Sequence, residues 1–136
     1  MKKILLTLLS SVAIFGCSSD DDTSSSSPSI NGKWKHVKSY IIFNNEILAD
    51  QTDIYNHNCT TTNDYLEFNT NNSGIEREYY ESCNYIDDAF TYSKTGEFVT
   101  MNFEDYVWEA KVYEVTDNVL KLQDITPNGR IYEYRK

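Results

Sequence analysis

The 136-residue sequence predicts an all-β domain over residues 30–136, an eight-stranded antiparallel up-and-down barrel. Three observations predict it. Tyrosine is abundant at 11 residues, whereas glycine (5) and proline (2) are scarce, a composition that suits pleated, half-buried strands. From Lys33 onward, short runs alternate apolar and polar residues between clusters of turn residues, and no helical period persists. Most of the turns are short, so consecutive strands pair as a meander. Closing a meander of about eight strands removes its exposed edges. An open curved sheet or a sandwich is the alternative arrangement.

Lys33 to Phe43 reads as the first strand. Trp34 lies on the opposite parity from Val37, Ile41 and Phe43, so the strand either bulges or uses Trp34 to close one end. Residues 44–63 read as a long polar loop whose sizeable apolar groups are Ile47, Leu48, Ile54 and Tyr55. A loop of that length in a small domain is usually functional, for example a lid. Asp64 to Asn69 alternates, with Leu66 and Phe68 on one face. The turn Thr70-Asn71-Asn72-Ser73-Gly74 supplies Asn and Gly for positive φ, and Ile75 to Glu81 returns as its partner strand. Four more strands follow, each placing apolar residues on one face. Tyr85 to Ser93 carries Ile86, Phe90 and Tyr92; Glu97 to Phe103 carries Val99, Met101 and Phe103. Tyr106 to Val115 carries Trp108, Ala110 and Val112; Val119 to Asp124 carries Leu120 and Leu122. Arg130 to Arg135 ends the domain with Tyr132 and Tyr134 on one face.

The segment ahead of the domain reads as an address. Lys2 and Lys3 precede an apolar run from Ile4 to Phe15, interrupted by Thr7, Ser10 and Ser11 and ending at Gly16. This is the pattern of a secretory signal, over residues 1–16, and it is too short to span a bilayer core. Ile14-Phe15-Gly16-Cys17 resembles the lipobox of bacterial lipoproteins. The resemblance implies diacylglycerol on the Cys17 thiol, cleavage after Gly16 and acylation of the new amino terminus; an ordinary signal with an incidental cysteine is the alternative. Residues 17–29 are rich in Ser and Asp and form a flexible linker. Within it, Asp20-Asp21-Asp22 resembles the export tag of Bacteroidetes surface lipoproteins, or is a solvated acidic tether. The expected location is the outer membrane, lipid-anchored, facing either the cell surface or the periplasm.

With Cys17 assigned to lipid, Cys59 and Cys83 remain as a pair in an oxidising compartment. They are equidistant from Asn71, so a regular hairpin about that residue brings them together across its open end. A catalytic or metal role for the two cysteines is the rival reading. Several features now coincide: Gly32-Lys33-Trp34 opening the first strand, Cys59 ahead of Asp64-Tyr65-Leu66-Glu67-Phe68, the Asn-rich turn ending in Gly74, and Cys83 after the next strand. Together they resemble the lipocalin-like domain lipoproteins of Bacteroidetes, over Asn31 to Lys136. The resemblance implies an eight-stranded barrel with a long first loop, residues 44–63, over its mouth. Unlike the larger lipocalins, this chain has no clear helix after the last strand.

Composition limits the function classes. The formal net charge is −9, and cleavage after Gly16 deepens it by the charges of Lys2 and Lys3. Such a charge argues against nucleic acid and against flat docking on anionic lipid. His36 and His57 are the two imidazoles, and no His, Cys or carboxylate spacing forms a triad or a zinc site. Surface or rim positions are expected for both. Neighbours on a strand point to opposite faces, so the adjacent carboxylates Asp87-Asp88 and Glu104-Asp105 are read as turn and rim charges rather than an acid–base pair. No enzyme activity, metal or cofactor is therefore expected. The inward aromatic set, Phe68, Phe90, Tyr92, Trp108, Tyr132 and Tyr134, either lines a site for a small apolar or aromatic ligand or fills the barrel as core. The alternative function is an interaction module, with a filled barrel that contacts a protein or glycan through its loops. The lipid assignment predicts that the mature protein, weighed by mass spectrometry, begins at Cys17 and carries acyl mass there. An unmodified Cys17 thiol would sink it.

Overall fold

The computed structural model describes residues 28–44, 46–126 and 129–136. The signal segment, Cys17 and the acidic cluster lie outside the described residues. Nine strands form one antiparallel sheet among the described residues. They are β1 (Gly32–Phe43), β2 (Glu46–Ile54), β3 (Tyr65–Phe68), β4 (Ser73–Tyr80), β5 (Asn84–Thr95), β6 (Phe98–Asn102), β7 (Val107–Val115), β8 (Val119–Asp124) and β9 (Arg130–Arg135). A single 3-10 turn, Glu81–Cys83, joins β4 to β5. Eight strands, β1 and β3 to β9, make the barrel wall in sequence order. The barrel closes because β1 also pairs with β9, from Lys35 against Arg135 to Ile41 against Arg130.

The expected loop 44–63 requires correction. Its first half is β2, which pairs with Lys38 to Phe43 of β1. One edge of β1 thus serves two partners in succession: β3 along Gly32 to Lys35, then β2 from Lys38 on. Between them, Tyr55 donates its backbone N–H to the Val37 carbonyl (3.0 Å) and His36 donates to the Asp64 carbonyl (3.3 Å). These bonds satisfy β1 across the gap between its two partners. At the same place the β1–β9 ladder steps from His36–Tyr134 to Lys38–Glu133, so Val37 is an inserted residue. This is the bulge that the Trp34/Val37 parity break called for.

One end of the barrel is filled. Trp34, Leu66, Phe68, Val99, Met101, Ala110, Leu120 and Leu122 are buried there almost completely. Phe68 meets Phe90 at 5.5 Å and Tyr92 at 5.0 Å, both edge to face, the arrangement aromatic quadrupoles favour. Polar tips within this end are satisfied: the Trp34 indole N–H donates to the Ile30 carbonyl (2.6 Å), and the Tyr92 hydroxyl lies 2.7 Å from the Asn69 carbonyl. Gly74 is demanded by packing. A Cβ there would sit 2.1 Å from the Phe90 ring and 2.5 Å from the Glu67 carbonyl oxygen.

The closing seam has its own polar lock. Glu133 of β9 is 2 % exposed. Its carboxylate accepts from the Tyr40 hydroxyl of β1 and from Arg135 Nε (2.9 Å) and Nη2 (2.8 Å), with Lys38 Nζ at 3.6 Å. Burial works to raise the Glu133 carboxyl, but the Tyr40 and Arg135 hydrogen bonds and the Lys38 ammonium outweigh it and hold the group below the usual carboxylate range.

Cys59 and Cys83 form the expected disulfide, with their Cα atoms 4.9 Å apart. The β3–β4 ladder pairs Tyr65 with Arg77 and Phe68 with Gly74. Those pairs, like the cysteines, are centred on Asn71. The bridge therefore continues the hairpin register and ties the segment after β2 to the β4–β5 corner. The double variant Cys59→Ser, Cys83→Ser should lose roughly 3 kcal/mol, the chain-entropy contribution of a loop of this size. Thermal unfolding checks this, and an unchanged melting temperature would remove the structural role.

Candidate functional site

The other end of the barrel is hollow. A cavity of about 320 Å³ opens where β1 changes partner. It is lined by His36 of β1, Tyr55 and Asp64 from the segment between β2 and β3, Tyr65, Glu76 and Glu78 from β3 and β4, Tyr106 ahead of β7, Trp108 of β7, and Tyr132 and Tyr134 of β9, with Arg77 beside them. Of the aromatic set expected to line a ligand site, Trp108, Tyr132 and Tyr134 stand here. Phe68, Phe90 and Tyr92 do not. They share the inward parity but are packed into the filled end and do not line this cavity.

His36 is the centre of the arrangement. Its ring lies 4.0 Å from that of Tyr55 and stacks on Tyr134 at 5.0 Å, with Tyr132 edge-on at 5.8 Å. Burial between these rings, helped by nearby His57, pushes its pKa down from 6.5 to about 4, against the pull of the Lys38 backbone and Asp64. The imidazole is therefore neutral at physiological pH. Its Nε2 is buried and has no hydrogen-bond partner among the described residues. A buried nitrogen left unmatched in this way is unfavourable unless something else reaches it.

Asp64 organises the near wall. It is buried, accepts the Tyr79 backbone N–H on Oδ1 (2.6 Å) and places Oδ2 3.3 Å from His57 Nδ1. His57 Nδ1 in turn lies 3.0 Å from the Asp64 backbone nitrogen, which donates to it. Burial, then the Asp64 carboxylate, raises the Tyr55 hydroxyl well above its usual range. These contacts fix the segment that β2 and β3 flank. His57 is thus a wall residue, and His36 lies inside the mouth.

The adjoining wall, β4, carries charge. Glu76 and Glu78 follow Gly74 at alternate positions, so they share its inward face. Burial, then the neighbouring carboxylates Glu78 and Asp88, pushes the Glu76 carboxyl up from 4.5 to about 7, only partly opposed by a hydrogen bond with Tyr106. Asp87, the neighbour of Asp88, faces out and holds Arg77 through two 2.6 Å contacts. Asp87 and Asp88 thus point to opposite sides of β5, whereas Glu104 and Asp105 lie in the turn between β6 and β7. Tyr55, Asp64, Glu76, Glu78 and Tyr106 were not singled out by sequence reading. The signal for the two glutamates lies in the inverted alternation of β4, where Ile75 faces out and the carboxylates face in.

The folded chain keeps Glu76 protonated up to about pH 7, whereas the unfolded chain releases that proton near 4.5. Stability therefore falls as pH rises from about 4.5 to 7 on account of this group. Glu76→Gln should gain about 1–2 kcal/mol at pH 8 and nothing at pH 4. Urea unfolding of both proteins at the two pH values measures it, and an equal gain at pH 4 would exclude the titration as its cause.

The architecture has counterparts. A lipocalin-like protein from Bacteroides uniformis superposes with a TM-score of 0.59 at 15% identity, over 78% of this chain and 96% of that one. An uncharacterized protein from Bacteroides eggerthii gives 0.57 at 14%, over 78% and 98%. At such identity the likeness is one of fold. No curated protein matches this chain significantly. The model of the lipocalin-like domain matches residues 30–122, most of the barrel. The chain belongs to the lipocalin-like domain family.

Proposed function

We propose that this protein is a lipid-anchored binding barrel of the outer membrane that holds a small ligand in its open mouth without transforming it. The reading is carried by one observation: a cavity of about 320 Å³ lined by aromatic rings, into whose wall the partnerless Nε2 of His36 is built. Its volume is at the small end of the roughly 300–1,000 Å³ usual for ligand pockets. That favours a compact aromatic or polar molecule over a long acyl chain. Trp108 and Tyr132, edge to face at 5.7 Å, offer it two ring faces nearly at right angles, while the tyrosine hydroxyls can fix its orientation. The hollow mouth favours ligand binding over a filled interaction module. Support for the anchor comes from the Ile14 to Cys17 run and the acidic linker, which would hold the domain off the membrane.

The full mature chain carrying Cys17→Ser, so that no lipid is attached, is the protein to test. A thermal-shift screen of small aromatic compounds should find at least one that, near 100 times its dissociation constant, raises the melting temperature by about 10 °C. The same compound should alter Trp108 fluorescence and lose its effect in Trp108→Leu. A flat response across the set would overturn the reading.

A further inference from the structure

We infer that the barrel mouth selects a small organic cation, an ammonium group carried on a compact aromatic or apolar frame. The inference rests on the proposed ligand-binding role and narrows its ligand class. Glu76 and Glu78 reach the cavity from β4, and the His36 imidazole, on β1 two strands away, stands among aromatic rings. The His36 ring is neutral, and its Nε2 has no hydrogen-bond partner among the described residues. In the tautomer protonated on Nδ1, Nε2 carries the imidazole lone pair. The site thus offers carboxylate oxygens and π faces, with the His36 Nε2 buried in its wall. The carboxylates and the ring faces are complementary to a donor-rich cation.

The opposite charge finds little to hold it. Arg77 is the one basic side chain among the described lining residues, apart from neutral His36. Its guanidinium is held by Asp87 and lies over the Tyr85 ring at 3.8 Å. An anion would therefore meet Glu76 and Glu78 without a cation to offset them. A neutral ligand would leave the crowding of Glu76 with Glu78 and Asp88 in place, whereas a bound cation relieves it. A metal ion fits less well. No group of three or more His, Cys, Asp or Glu placed to hold one occurs among the described residues, and aromatic walls suit a weakly hydrated organic charge. The acidic chain as a whole also attracts cations toward the mouth.

Titration of Glu76 gives the site a pH signature. The groups that face it are Glu78 on its own strand, Asp88 on β5, the Tyr106 hydroxyl ahead of β7, Tyr134 on β9 and Tyr55 ahead of β3. Among them Glu76 is the group shifted to about 7. A cation that needs it ionised should bind about tenfold more weakly at pH 6 than at pH 8.

The test uses the mature Cys17→Ser chain and three probes that share one ring and differ in head-group charge: 2-phenylethylamine, 2-phenylethanol and phenylacetate. Isothermal titration calorimetry should show the amine binding about tenfold or more tighter than the other two. Its affinity should weaken from pH 8 to pH 6, a range over which the amine stays protonated. Glu76→Gln should erase both the preference and the pH dependence, and Glu78→Gln should reduce the preference if the first variant fails to fold. If 2-phenylethanol or phenylacetate binds as tightly as the amine, the cation assignment is overturned while the cavity remains a binding site. If none of the three binds, the cation assignment is again overturned, and the thermal-shift screen decides the binding role separately.

Discussion

The pairing of β1 with β9 is the constraint on which the rest of this structure depends. It turns an open meander into a barrel and so leaves no unpaired edge along most of the wall. The twelve-residue β1 must satisfy β9 on one edge while dividing the other between β3 and β2. That division is accommodated by the inserted Val37. Ahead of the insertion, Trp34 and His36 stand at alternate positions on the inward face, one in the filled core and one at the mouth. Behind it, Tyr40 and Lys38 reach Glu133 and fasten the seam from the other face. Removing one partner of so buried a carboxylate would leave its charge poorly matched, which is far less favourable than never having buried it.

Much of this was legible in the sequence, for a physical reason. The strands β3 and β5 to β9 turn apolar residues inward and β4 is bracketed by turns, so alternation and turn chemistry mark them within a residue or two. The disulfide was legible because a hairpin register is set by its turn, and both cysteines are equidistant from Asn71. Strand β2 was not legible. Ile54 is 75 % exposed and Ile47 39 %, so β2 covers little of the core and carries no clean apolar face to advertise itself. It is held by backbone pairing to β1, and side-chain pattern says nothing about that.

Parity gave the correct face for all six aromatic residues of the expected ligand set but not their depth. Phe68 and Phe90 sit at the filled end, whereas Trp108 and Tyr132 sit at the mouth. Depth along a barrel axis follows from the stagger between neighbouring strands, which alternation within one strand does not encode. Glu76 and Glu78 were missed for a related reason. An alternating strand is normally read with its apolar residues inside, and β4 reverses that rule by pointing Ile75 and Tyr79 outward. The reversal is itself informative, because a strand that turns carboxylates inward borders something other than a hydrophobic core.

The two ends of the barrel differ in how fully their polar groups are matched. At the filled end, polar tips are matched, rings meet edge to face, and Gly74 makes room for Phe90. At the mouth the same wall holds a half-buried Glu76 crowded by Glu78 and Asp88, and a neutral His36 with an unmatched Nε2. Either feature taken singly is unfavourable to folding. Both persist because the disulfide, the Asp64 contacts and the β1–β9 seam hold the surrounding wall in place. Local rules of satisfaction fail here together, around one cavity, while they are obeyed elsewhere among the described residues. Such concentrated exceptions are where function is expected, and they support the proposal that a ligand would enter at the open mouth rather than the filled interior.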